Sequence, residues 1–166
     1  MLKRLYRHLT TTGSAGRRAF PAAGMQAIQA AIAKGEQLHR AEIRLMVEPS
    51  MAFGDLLEGR TSRDRACDLF SEYTIWDTEE NSGILVYINL ADHQVEIIAD
   101  RGVNSLLTAS QWQQICRTIT AGFAAGRYDE SVIDAIGQLN QMLHAVLPAI
   151  SGNDNPDELP NQPVML

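Results

Sequence analysis

Apolar positions along this chain follow two rhythms. Between Glu42 and Glu48 they alternate, with Ile43, Leu45 and Val47 set against Glu42, Arg44, Met46 and Glu48. That alternation predicts a half-buried strand, ended by Pro49. Residues 84–89 are apolar on both faces and predict a central strand. Gln94–Ala99 predicts its antiparallel partner across the tight turn at Asp92 and His93. Elsewhere the rhythm is helical. Met25, Ile28, Ile32 and Leu38 follow Pro21, a residue suited to a first helical turn. Ala66, Leu69, Phe70 and Tyr73 follow Thr61-Ser62-Arg63-Asp64, the pattern of a capping box. Trp112, Ile115, Cys116, Ile119 and Phe123 repeat at three and four, with Gly122 and Gly126 marking the end. Val132, Ile133, Ile136, Leu139, Leu143 and Val146 form the last stripe, with Asp129 as its predicted cap and Pro148 as its stop.

These elements divide the chain. Residues 20–150 form one folded α/β domain. Residues 1–19 read as a weakly ordered basic segment, in which Leu2, Leu5 and Leu9 recur at helical spacing and residues 10–16 are a polar linker. Residues 50–60 are a loop. Residues 151–166 hold three prolines and no period, and read as an extended or disordered acidic tail.

A strand, a crossover helix and a second strand make a parallel unit, and the third strand returns antiparallel. The start of the first strand, the start of the second and the end of the third then share one edge of the sheet. At that edge lie Glu36, His39 and Glu42, then Asp77, Thr78, Glu79, Glu80 and Asn81, then Asp100, Arg101 and Gly102. Pairing Ile84 with Ala99 sets Gly83 opposite Asp100, and a glycine there admits another backbone or a ligand. The opposite edge holds Glu48, the 50–59 loop and the Asp92-His93 turn.

Charge sharpens the picture. Residues 1–44 carry eight basic and two acidic groups, whereas the whole chain has a net charge of −6. A basic tip on an acidic body can touch anionic lipid or nucleic acid or fold back on the body itself, while the acidic body repels phosphate backbones and argues against nucleic-acid binding by the whole domain. Residues 1–9 can lie on a lipid surface as a short basic amphipathic helix, and a frayed terminus or a helix capping the domain is the plainer alternative. No apolar run approaches the roughly 20 residues of a spanning helix, and polar residues follow the basic start where a signal peptide needs an apolar segment. The expectation is a cytoplasmic protein, peripheral to a membrane. Cys67 and Cys116 fall on apolar faces of predicted helices and read as packing residues, too far apart in sequence to suggest a disulfide framework.

Three chemistries compete at the edge. Asp77, Glu79, Glu80, Asn81 and Asp100 offer the hard oxygens that calcium or magnesium takes, and a solvated acidic loop is the plainer alternative. Glu36-x-x-His39 places a Glu and a His on one helix face, but occurs once, so a surface histidine explains it more simply. Arg101 beside Asp100 can orient an anion, with His39 or Asp100 as proton carrier, or it can simply pair with a nearby acid. No GxSxG, P-loop, HExxH or CxxC motif is present.

HRAEIRLMVE, RACDLF, WDTEENSGILVYINLADHQVEIIADRGVN, the Trp112 helix and FAAGRYDESV together resemble the TPM-domain family, named for a thylakoid lumen protein and its relatives. The wording is similar to a bacterial branch of short, soluble members that go with membrane-associated relatives. The resemblance implies a three-layer α/β/α sandwich with a small mixed β-sheet and a shallow cleft using Asn81, Asp100 and Gly102. It also implies calcium binding, weak acid phosphatase activity or an accessory role with a protein partner. Glu79-Glu80 and Arg101 depart from the family pattern, which more often has an Asp beside the Asn and an aromatic residue in the loop.

Overall fold

The computed structural model of the chain describes residues 2–150 and 155–166. The elements run α1 (Leu2–Thr10), α2 (Gly13–Ala19), α3 (Ala22–Glu36), β1 (Glu42–Glu48), α4 (Phe53–Leu57), α5 (Ser62–Glu72), β2 (Gly83–Asn89), β3 (Gln94–Ala99), α6 (Arg101–Asn104), α7 (Ala109–Ala124), α8 (Tyr128–Val146) and β4 (Val164–Met165). The strands form one mixed sheet in the order β3-β2-β1-β4. β1 runs parallel to β2 with Ile43 opposite Ile84, and β2 pairs antiparallel with β3 with Ile84 opposite Ala99.

Alternation along the two central strands sorts their side chains into two cores of unequal size. Ile43, Leu45, Val47, Ile84, Val86 and Ile88 meet Ile28 and Ile32 of α3, Ile115 and Ile119 of α7, and Val132, Ile136, Leu139 and Leu143 of α8. Met46, Leu85 and Tyr87 point the other way, onto Ala66 and Leu69 of α5 and onto Leu159. The result is a three-layer α/β/α sandwich with a small mixed sheet. Thr61 begins α5 with the capping box its sequence predicts, and Thr108 with Gln111 builds a second one before α7.

The chain ends depart from their sequence reading. Residues 2–19 are two helices, and the predicted linker is mostly α2. Phe20 explains why. It is buried against Phe123 and Tyr128, with ring centroids 6.2 Å away in both cases, and so fixes the end of α2 to the α7–α8 layer. Residues 155–166 are extended, as expected, but they are packed on the domain. β4 continues the sheet in parallel with β1, and Leu166 N–H donates to Val47 O at 2.9 Å. The Arg44 guanidinium donates to the carbonyls of Pro160 and Gln162. This covering makes β1 buried at every position but Arg44, where alternation predicts a half-buried strand. Residues 151–154 lie outside the described residues.

Smaller differences have local causes. α4 lies within the predicted 50–60 loop. Asp129 falls inside α8, and Arg127 occupies the cap position without a side-chain bond. Cys67 is exposed, not packed, while Cys116 is half-buried.

Gly83 is where the backbone needs a missing side chain. A Cβ there would stand 1.9 Å from the Ile75 carbonyl oxygen, so the close approach foreseen at this glycine is made by the chain itself. Gly83→Ala is expected to cost about 2 kcal/mol or more in urea unfolding, since a backbone oxygen cannot yield as a side chain would. Gly137, mid-way along α8, has open space at its Cβ position. Gly137→Ala should gain about 0.5–1 kcal/mol in the same experiment. Equal effects of the two substitutions would contradict this account.

Candidate metal centre

The predicted shared edge exists. Asp100 N–H donates to Gly83 O at 2.9 Å, and Gly102 N–H donates to Asn81 O at 2.9 Å. Asn81 sits at φ 53°, and Thr78 Oγ1 accepts from Ser82 N–H at 2.9 Å, which folds the 77–82 loop back onto the strand. A Cβ on Gly102 would lie 2.1 Å from Glu80 O, so the loop before β2 and the turn after β3 are in direct backbone contact.

Of the side chains proposed as ligands from sequence, Asn81, Glu80 and one oxygen of Asp100 are engaged by other groups. Asn81 Oδ1 accepts from the Arg101 guanidinium at 3.0 and 3.2 Å, so Arg101 pairs with this amide rather than with an acid. Asp100 Oδ1 accepts from Arg101 N–H at 2.6 Å and caps α6, while its Oδ2 is buried without a partner. Glu80 pairs with Arg40, and Asp77 is exposed. Glu79 N–H donates to Glu158 Oε2 at 2.8 Å, tying this loop to the C-terminal segment.

Acidic oxygens converge immediately beside this loop. Among the described residues, carboxylate oxygens of Glu36, Glu42 and Asp157 all lie within 4.8 Å of one another. Glu36 ends α3, Glu42 begins β1 and Asp157 comes from the segment laid over both. Glu36 and Glu42 are 7% and 2% exposed, yet none of the three joins an ion pair among the described residues. Each spends one oxygen on local structure. Glu36 Oε1 accepts from Ile43 N–H at 2.8 Å, Glu42 Oε2 from Leu159 N–H at 3.1 Å and Asp157 Oδ2 from Asn161 Nδ2 at 3.2 Å. Glu36 Oε2 and Asn161 Oδ1 are buried acceptors with no donor. All four residues line one pocket of about 410 Å³.

Burial dominates the titration of this group. It pushes the Glu36 carboxyl up to about 8 and the Glu42 carboxyl up to about 7, from an ordinary 4.5. The Ile43 and Leu159 amides pull the other way, and repulsion from Asp157 adds to the rise.

His39 is not the surface histidine its sequence suggests. It is fully buried, with Nε2 3.1 Å from Asn140 Oδ1. Asn140 Nδ2 donates to Ala31 O at 3.0 Å, so its oxygen faces the ring and Nε2 carries the proton. Burial lowers the His39 pKa and keeps the ring neutral.

A family model described as the TPM domain matches residues 17–142. The chain belongs to the TPM-domain family. Its fold is similar to the NMR structure of the BA42 protein from the psychrophilic bacterium Bizionia argentinensis, with a TM-score of 0.77 at 26% identity. That likeness covers 88% of this chain and 94% of that one. Comparison with curated proteins returns no match. No helix among the described residues is long and apolar enough to cross a membrane.

Asp157 and Asn161 lie beyond the matched TPM region, and sequence reasoning missed both. The signal was Val164-Met165-Leu166, a short apolar run that could have been read as an edge strand drawing the segment onto the sheet.

An acid whose folded pKa is raised holds protons that the unfolded chain releases. Without metal, stability therefore falls as pH rises from about 4.5 through about 8. Urea unfolding in chelator across this window should show that decline, and Glu36→Gln should flatten it. A stability that rises over the same window would refute the assignment.

Proposed function

We propose that this TPM domain is a binding and accessory domain that takes a hard divalent cation, calcium or magnesium, at Glu36, Glu42 and Asp157. The observation that carries the reading is the meeting of three carboxylates, two of them deeply buried, that join no ion pair among the described residues. Each retains an oxygen outside its backbone or amide bond, and Asn161 Oδ1 is a further neutral oxygen with no donor. All-oxygen sites of mixed carboxylate and amide character suit calcium and magnesium, with water filling the remaining positions. The unpartnered Glu36 Oε2 has two remedies, a proton or a cation, and the second gains weight as pH rises. Because Asp157 belongs to the C-terminal segment, bound cation would fasten residues 155–166 over β1 and present that face to a protein partner. The reading moves the cation from the sequence-derived set Asp77, Glu79, Glu80, Asn81 and Asp100 to the neighbouring pocket.

Phosphomonoester hydrolysis has no comparable support. His39 is buried and hydrogen-bonded, so it is badly placed to shuttle protons. Arg101 is occupied by Asn81, and Asp100 caps a helix.

Calcium and magnesium titrations followed by amide NMR test the proposal. Shifts should centre on Ile43, Leu159 and Asn161, and Asp157→Asn should weaken binding by roughly tenfold or more, because it removes one charged ligand. Shifts centred on Asn81 and Asp100 would return the cation to the hairpin edge, and an absence of shifts would end the reading. Hydrolysis of p-nitrophenyl phosphate that Asp100→Ala abolishes would favour the enzyme instead.

A further inference from the structure

Helix α1 is amphipathic, yet its polar face is the one turned to the protein. The Arg4 Nε donates to the two Asp92 oxygens at 2.9 and 3.2 Å, and an Arg7 nitrogen to one of them at 3.0 Å. His8 is buried, with Nε2 3.1 Å from Asp92 Oδ1. His8 Nδ1 accepts from Met51 N–H at 3.1 Å, which leaves the ring proton on Nε2, beside the carboxylate but not hydrogen-bonded to it. Arg4 also donates to Arg60 O at 2.8 Å. These contacts fix the rotation of α1 about its own axis.

The opposite face carries Leu2, Leu5, Tyr6 and Leu9 at helical spacing. Leu2 is 82% exposed, Tyr6 69% and Leu9 64%. α4 extends the surface with exposed Phe53 and Leu57, and an apolar groove of about 340 Å³ runs between Leu2, Leu5, Leu56 and Leu57. A helix on a globular domain ordinarily buries its apolar stripe. Here the stripe is displayed on a surface that five hydrophobic side chains leave open to water.

We infer that α1 and α4 form a docking surface for an anionic lipid bilayer, with Leu2, Tyr6 and Leu9 in the acyl boundary and Phe53 and Leu57 beside them. Charge decides the occupant. Residues 2–19 hold Lys3, Arg4, Arg7, Arg17 and Arg18 and no acid, although the chain as a whole is acidic. Arg4 and Arg7 are held by Asp92. Lys3, Arg17 and Arg18 are exposed and have no ion-pair partner among the described residues. Apolar side chains on one helix face, with the unpaired Lys3 on the same helix and Arg17 and Arg18 on the next, are what an interfacial segment uses on acidic headgroups. This surface lies at the end of the sheet away from Glu42, so it stands independently of the cation pocket.

Flotation of the full chain with phosphatidylcholine vesicles, with and without phosphatidylglycerol, tests the inference. The protein should float with the anionic vesicles only, and added salt should release it. Tyr6→Glu with Leu9→Glu should reduce binding by roughly tenfold or more. Both positions are exposed, so amide NMR spectra should show the fold intact. Lys3→Glu with Arg17→Glu should weaken binding to anionic vesicles as well. Failure to float, equal binding to neutral vesicles, or unchanged binding by the Tyr6 and Leu9 variant overturns the inference. Self-association in solution that the same variant abolishes overturns it too, in favour of a second copy as the occupant.

Discussion

Two carboxylates, Glu36 and Glu42, are taken out of water by the segment that follows residue 154, and much of the structure depends on how their charge is settled. An ionised carboxylate in a dry site without a cation is costly enough that the group either neutralises or finds a partner. Here backbone amides of Ile43 and Leu159 supply part of the compensation. The remainder falls to a proton, to a metal ion, or to departure of the covering segment. Those three outcomes are linked, because Leu159 and Asp157 lie on the same strand of chain that leads into β4. Losing the segment would uncover Met46 and Leu85 in the smaller core and free the edge of β1, so the acid pair is coupled to sheet integrity.

The centre of the fold was legible because strand periodicity, a tight turn and a capped helix between the parallel strands overdetermine it. The pairing of Ile84 with Ala99 follows from the tight turn, and the parallel pairing of β1 with β2 follows from an intervening helix with a capping box. Edge position followed too, so Glu36 and Glu42 were already placed beside Asn81 and Asp100. What sequence could not supply was which of these acids converge. Glu80 is drawn off by Arg40 and Asn81 by Arg101, and both contacts depend on side-chain geometry that spacing does not encode. Asp157 was hidden for a different reason. Prolines and acids read as an extended or disordered tail, and nothing in that reading said that the extended backbone would pair at a sheet edge. Tertiary pairing with β1 and the grip of Arg44 decided between the two.

The N-terminal segment reads as weakly ordered, yet it forms a helix laid on the domain. Nine residues bury little and nucleate poorly. What holds α1 is polar and comes from 84 to 88 residues away in sequence, through Asp92. Helical periodicity shows that α1 has an apolar stripe but not which way it faces, and here a charge cluster turns the polar face to the body of the protein.

Asp92 has that strength because it is built into the sheet. Its N–H donates to Asn89 Oδ1 at 2.9 Å, and Asn89 Nδ2 donates to Tyr87 Oη at 3.2 Å. Tyr87 donates in turn to Glu48, whose other oxygen accepts from Arg65 Nε at 3.3 Å. Burial and the Glu48 charge raise the Tyr87 pKa, so its proton stays in place and the chain of bonds keeps one direction. The carboxylate that orients α1 is thus held by the ends of β1 and β2, not by a loose turn. It follows that the exposed leucines are a fixed feature of the fold. Turning them inward would strand Arg4, Arg7 and His8 away from Asp92 and leave a carboxylate with a 7% exposed side chain unpaired, a worse arrangement than an apolar stripe facing outward.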